Sequence, residues 1–267
     1  MGHQRLGEIP KSKKWSAVVT AVSGGKGSGG GTGNLAEEVV NIADLTLEAA
    51  DSGLQRAVDD KGLRFTFFML TQIVLAARHE DWRSQLAKLG ITLTNESSLF
   101  ELTAEVQNVI DDHLAVDGRP TDISEIAQQA AGEALAELAG TNAKTLFGSG
   151  SDELRDAIRK LSTRAGFAKL GQRFFGGFMT RFLNFYLCRV TAHQTGGSRI
   201  SQVGSLTKFN ESLAQHCQQS AQIVKDFCGE WYSKTEFQKG IDLENSSGFM
   251  AVALKKLQSE LRRQRQE

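Results

Sequence analysis

Phe174–Val190 reads FFGGFMTRFLNFYLCRV. At 100° per residue, Phe174, Phe178, Phe182 and Phe185 fall in one broad sector, which Met179, Leu183, Tyr186 and Val190 extend. Only Arg173, Gly177, Thr180 and Asn184 form a polar strip, and it is narrow. A helix apolar around most of its circumference must be covered by other helices or by lipid. The apolar face is too wide for a helix lying on a membrane surface. Gly176 and Gly177 interrupt the pattern, so either another helix approaches closely there or the helix kinks. Arg181 and Arg189 fall among the phenylalanines rather than in the polar strip. A guanidinium so placed needs a carboxylate, an anionic ligand or an aromatic face, or it must snorkel outward. An ion pair inside the fold is the expected outcome, and Glu105, Asp111 and Asp112 are the carboxylates considered for it.

Outward from this segment the helical pattern continues in both directions. Asn34, with Glu37 three residues on, predicts a helix start followed by Leu35, Val39, Ile42, Ala43 and Leu47 on one face. Further helices are expected over 55–79, 82–89, from Ser97 or Ser98 to 114, from an Asp122/Glu125 box to Gly140, and from Ser151 onward. Two more cover 208–231 and 247 to the end, the last with Phe249, Val252, Leu254, Leu257 and Leu261 inward. No segment reads convincingly as a strand. The fold class is therefore all-α, an irregular multi-helix bundle. The break at 141–150 suggests two helical subdomains: 1–140, carrying a glycine-rich loop at 23–33, and a basic, aromatic-rich 151–267.

The formal net charge of zero hides an asymmetry. Between Leu89 and Leu154 stand Glu96, Glu101, Glu105, Asp111, Asp112, Asp117, Asp122, Glu125, Glu133, Glu137, Asp152 and Glu153, against only Arg119 and Lys144. Between Ala157 and Asn210 there is no Asp or Glu, and Arg159, Lys160, Arg164, Lys169, Arg173, Arg181, Arg189, Arg199 and Lys208 all occur. Either the two stretches pack on one another, or the basic one is left free for an acidic protein or a nucleic-acid backbone. Aromatic residues interleave with these cations, which suits a single-stranded nucleic-acid platform. At helical spacing they suit a core better.

Ser23–Gly33, SGGKGSGGGTG, contains Gly25, Gly27 and Gly30 in a G-x-G-x-x-G spacing, with Lys26 between the first two. Backbone N–H groups freed of Cβ atoms can approach a phosphate, and a helix start follows. The run Gly29–Gly33, GGGTG, resembles the phosphate-loop signature of tubulin-like GTPases over those five residues. A nucleotide loop requires a strand before it, however, and Trp15, Val18, Val19 and Val22 keep helical spacing. A surface loop is the expected reading, with nucleotide binding the alternative.

No nucleophile elbow, HExxH or kinase signature occurs, and His79 and His113 only neighbour acidic residues in sequence, which does not bring them face to face on a helix. No catalytic residue, metal site or cofactor is assigned. Cys217 and Cys228, eleven apart, are expected on one helix face as buried small hydrophobes. Three cysteines without a CxxC, no secretory leader and no apolar run of membrane-spanning length suggest a reduced, cytoplasmic setting. The expected role is a non-catalytic assembly subunit or adaptor. It would contact an acidic protein, or self-associate, through Arg159, Lys160, Arg164, Lys169 and Arg173. The alternatives are a nucleic-acid-backbone binder using the same segment and a nucleotide binder using the glycine-rich loop.

Overall fold

The computed structural model describes residues 12–23, 35–140, 151–192 and 203–263. Among them are twelve helices and no strand. They are α1 Lys13–Ser23, α2 Leu35–Ala49, α3 Asp51–Asp59, α4 Lys61–Ala76, α5 Trp82–Lys88 and α6 Leu99–Asp117. Then follow α7 Asp122–Gly140, α8 Ser151–Leu161, α9 Arg164–Ala192, α10 Val203–Ser220, α11 Gln222–Gln238 and α12 Leu243–Arg263. The all-α multi-helix bundle read from the sequence is what forms.

α9 is the axis, and it starts ten residues before the phenylalanine-rich stretch. α7, α10 and α11 pack along it, and α4 lies beyond, against α7 and α12. Phe174, Phe178 and Phe182 are buried, as the wheel required, Phe185 of the same sector is half-buried, and Phe167 and Phe175 are buried as well. Phe67 of α4 meets Phe167, Phe174 and Phe175. Phe167 also meets Trp231 of α11 and stacks on Tyr232 at 4.0 Å, Phe175 meets Phe249 of α12, and Phe178 stacks on Phe182. Each such ring contributes about 1.5–3 kcal/mol by leaving water. The buried hydrophobic residues, from Trp15 to Leu261, form one connected cluster that draws on both halves of the chain.

The helix runs through Gly176 and Gly177 without a break, so the two glycines serve close approach rather than a kink. Gly177 lies against Ala130 of α7, and a Cβ on Gly176 would crowd the Gln218 amide of α10.

Several boundaries differ from the periodicity. The helix expected over 55–79 is two, because Asp60 takes an extended conformation and its carboxylate accepts the Leu63 N–H at 2.8 Å, starting α4 afresh. The one expected over 208–231 also divides, at Ala221. Cys217 and Cys228 therefore sit on different helices, α10 and α11, although both are buried. α7 is capped by Thr121 and Ser124, each donating a backbone N–H to the other's hydroxyl, rather than by the Asp122/Glu125 box. Ser98 and Glu101 do form a reciprocal cap on α6. α12 begins at Leu243, where Asp242 and Asn245 bond reciprocally, and Val252 points outward at 45% exposure. With Phe249, Leu254, Leu257 and Leu261 already inward, Val252 falls on the far side of the wheel.

Candidate functional site

α7 and α9 run antiparallel, and their seam is where acidic meets basic. Arg173 pairs with Glu137 at 2.7 Å, and Arg181 pairs with Glu133. Glu133 and Glu137 are one turn apart on α7, so both carboxylates face the same neighbour. The Arg181 side chain is 24% exposed against 62% for Glu133, and desolvation by burial lowers the guanidinium's pKa from its ordinary value. The carboxylates named from the sequence for the two inner arginines are not the partners. Asp111 accepts from the Gln128 amide, and Glu105 accepts from the Thr92 N–H and the Asn108 amide. The reason is topological: α6 packs on α4 and α7, and it is α7 that packs along α9. Arg189 takes the other solution, with its guanidinium 4.6 Å from the Phe185 ring centroid.

At the opposite end of α9 the cations are open. Arg159, Lys160, Arg164 and Lys169 are exposed on either side of the Ser162–Thr163 turn, while Arg173 is half-buried in the seam. Thr163 accepts the Gly166 N–H to start α9, and Gly166 packs so tightly on Lys160 and Leu161 that a Cβ there would overlap their backbone. Arg78, at the end of α4, fastens this corner. It donates to the Ser162 carbonyl and to Glu236, and its guanidinium lies over Tyr232. Arg155 donates to the Ala77 carbonyl. Sequence reasoning missed Arg78 and Arg155, since nothing local links 78 to 162. Arg159 pairs with Asp156 at 3.5 Å and Arg164 with Glu230 at 2.9 Å, all four side chains more than half exposed. Lys160 and Lys169 have no carboxylate partner among the described residues.

Most of the interleaved rings are not available for stacking on bases. Phe167, Phe174, Phe175, Phe178 and Phe182 are buried, and only Phe185 and Tyr186 are half-buried. Those two line a groove of about 620 Å³ between α1, α3, the start of α7 and the end of α9. A second hollow, about 560 Å³, lies between the start of α4, α6 and the start of α12, with Lys61, Arg64 and His113 at its rim.

The glycine-rich segment, including Gly25, Lys26, Gly27 and Gly30, lies outside the described residues. What precedes it is α1, a helix burying Trp15, Val18 and Val22. Arg199 also lies outside the described residues, and Lys208 is exposed on α10. His113 stacks on Phe65 at 3.8 Å, and His216 is buried with Nε2 unpaired. Burial pushes the Cys217 thiol up to about 12 and lifts Cys228 as well, while Cys188 is exposed. Among the described residues no group of three or more His, Cys, Asp and Glu side chains is placed to hold a metal ion, and no helix is long and apolar enough to cross a membrane. No protein-family model matches the chain, and no curated protein and no solved structure matches it.

Proposed function

We propose that the protein is a non-catalytic binding subunit that takes an acidic partner protein at the α8–α9 corner. One observation carries the reading: Arg159, Lys160, Arg164 and Lys169 stand exposed together around one turn, while the cations farther along α9 are turned into the α7 seam or onto a ring. The ion pairs already at the corner do not close it. Exposed pairs of this kind contribute ~0–1 kcal/mol each and exchange readily for a partner's carboxylates. Arg78 supports the reading from below, because its bonds to Ser162 and Glu236 fix the turn that carries the cations. A turn held in place loses less freedom on binding. The partner recognised would be an acidic segment, with charge setting orientation and on-rate more than affinity.

A nucleic-acid backbone is the second reading, since phosphates would meet the same cations. The buried rings weigh against it, because a single strand needs exposed ring faces. Fluorescence anisotropy with labelled poly-glutamate and with a labelled single-stranded oligonucleotide, each over a salt series, separates the two. Poly-glutamate binding that weakens with salt, with weaker oligonucleotide binding at equal ionic strength, is the expected outcome. Oligonucleotide binding that is the stronger at every salt concentration supports the second reading, and retention of neither probe at low salt removes both.

A further inference from the structure

The groove at the far end of α9 combines features that the corner lacks. Its walls are apolar and aromatic: Trp15 and Tyr186 lie 5.6 Å apart, and Phe185 meets Tyr186 edge-on at 5.2 Å. Ile126, at the start of α7, adds an aliphatic surface. Into this space come two guanidinium groups, Arg56 from α3 and Arg189 from α9. Neither has a carboxylate partner among the described residues. Arg189 rests on the Phe185 ring, which orients the guanidinium without neutralising it.

The groove also has two carboxylates, and both are already engaged. Asp60 accepts the Leu63 N–H at 2.8 Å on one oxygen and the Thr121 hydroxyl at 2.6 Å on the other. Asp122 lies in the first turn of α7, where the helix dipole holds a negative charge. The groove thus holds two cations and two anions; the carboxylate oxygens of Asp60 are taken up by protein donors, whereas the two guanidinium groups have no anion paired with them among the described residues. The volume of about 620 Å³ falls in the range of small-molecule pockets, roughly 300–1,000 Å³. The second hollow differs in this respect: Arg64 at its rim is occupied by Asp59 and the Val58 carbonyl.

We propose that this groove binds a small organic anion: a flat apolar body against Trp15, Phe185 and Ile126, and one anionic head, a carboxylate, sulfonate or phosphate, taken by Arg56 and Arg189. Guanidinium forks match such heads in bidentate geometry. The site is independent of the corner. Arg164 and Arg189 are 25 residues apart on one helix, about 37 Å at 1.5 Å per residue.

The test uses the full chain and two dyes of similar body, 8-anilinonaphthalene-1-sulfonate and the uncharged N-phenyl-1-naphthylamine, read by energy transfer from tryptophan. The sulfonate should bind saturably. Arg56→Gln with Arg189→Gln should weaken it about tenfold, as the loss of charge-assisted hydrogen bonds requires, and leave the uncharged dye within about twofold. Ser52→Trp, on an exposed lining position, should block both dyes without touching the core. Lys160→Gln with Lys169→Gln should change neither, and far-UV circular dichroism checks that every variant is folded. The proposal is overturned by absent saturable binding, by sulfonate affinity that survives the arginine changes, by a loss that the Lys160/Lys169 changes reproduce, or by dye binding that ignores Ser52→Trp.

Discussion

The two ends of α9 carry the same residue types in opposite circumstances. At the start, Arg164 and Lys169 stand in water, and the pair Arg164–Glu230 is more than 60% exposed on both sides. Toward the end, Arg181 and Arg189 are set among phenylalanines, one against an α7 carboxylate and the other on a ring. The difference follows from what packs on each half. The apolar sector narrows before Arg173, so the early cations have no wall to lie against. After Phe174 the helix is covered nearly all round, and a cation there must find a partner within the fold or at its edge. Along α9 the run of positive charge with no acidic residue is thus two features, and of these two only the first stands open to solvent.

The largest effect expected from this contrast is in packing. Phe182→Ala removes a ring that is 1% exposed and should destabilise the fold by about 3–5 kcal/mol, read as a shift in the urea midpoint. Lys169→Ala, on the same helix but in solvent, should change it by less than about 0.5 kcal/mol. Comparable losses from the two would erase the distinction between the ends. The early end has one point of tight packing, Gly166. Gly166→Ala should cost about 1–3 kcal/mol by overpacking, whereas Gly248→Ala, which faces open space, should cost nothing or stabilise slightly.

A third effect depends on pH. His216 of α10 is next to Cys217, whose thiol bonds Thr180 in the buried half of α9, and desolvation lowers the imidazole pKa below its ordinary 6.5. The unfolded chain takes up this proton below pH 6.5 while the folded chain does not. The contribution is therefore intact above that pH and is lost as pH falls toward the lowered folded value, at up to about 1.4 kcal/mol per unit. His216→Gln should lose less stability than the parent between about pH 7 and pH 5. An identical loss in both would place the acid sensitivity elsewhere. The smallest effect is the Arg181–Glu133 coupling, because Glu133 is largely exposed. A double-mutant cycle with Arg181→Met and Glu133→Gln should give ~1 kcal/mol or less, and several kcal/mol would mean the seam is drier than its exposure implies.

Periodicity read the helices well because burial enforces it: Val39, Ile42, Ala43 and Leu47 of α2 are all inside, as are Phe174, Phe178 and Phe182 of α9, while Phe185 of the same sector is only half-buried. It failed where a polar side chain interrupts an unbroken apolar pattern. Asp60 ends one helix and caps the next with no change in the hydrophobic rhythm around it, so 55–79 reads as continuous. Val252 was misplaced because α12 has more apolar positions than its one buried face can hold. The site was legible only in its local parts. Exposed cations around a turn can be read from an acid-free run that opens a helix. Glu133 could not be matched to Arg181, nor Arg78 to Ser162, because those contacts join positions 48 and 84 residues apart, and helix order along the chain does not give helix adjacency in space.

The central claim is that the start of the acid-free run is a binding surface and its middle is not. Anisotropy of labelled poly-glutamate against two charge-altered forms of the full chain tests it directly. Lys160→Glu with Lys169→Glu should weaken binding about tenfold or more, since like charges then meet at the corner, while Arg173→Gln with Arg181→Gln should leave it within about twofold. Undiminished binding by the corner variant, or an equal loss from the seam variant, would contradict the account.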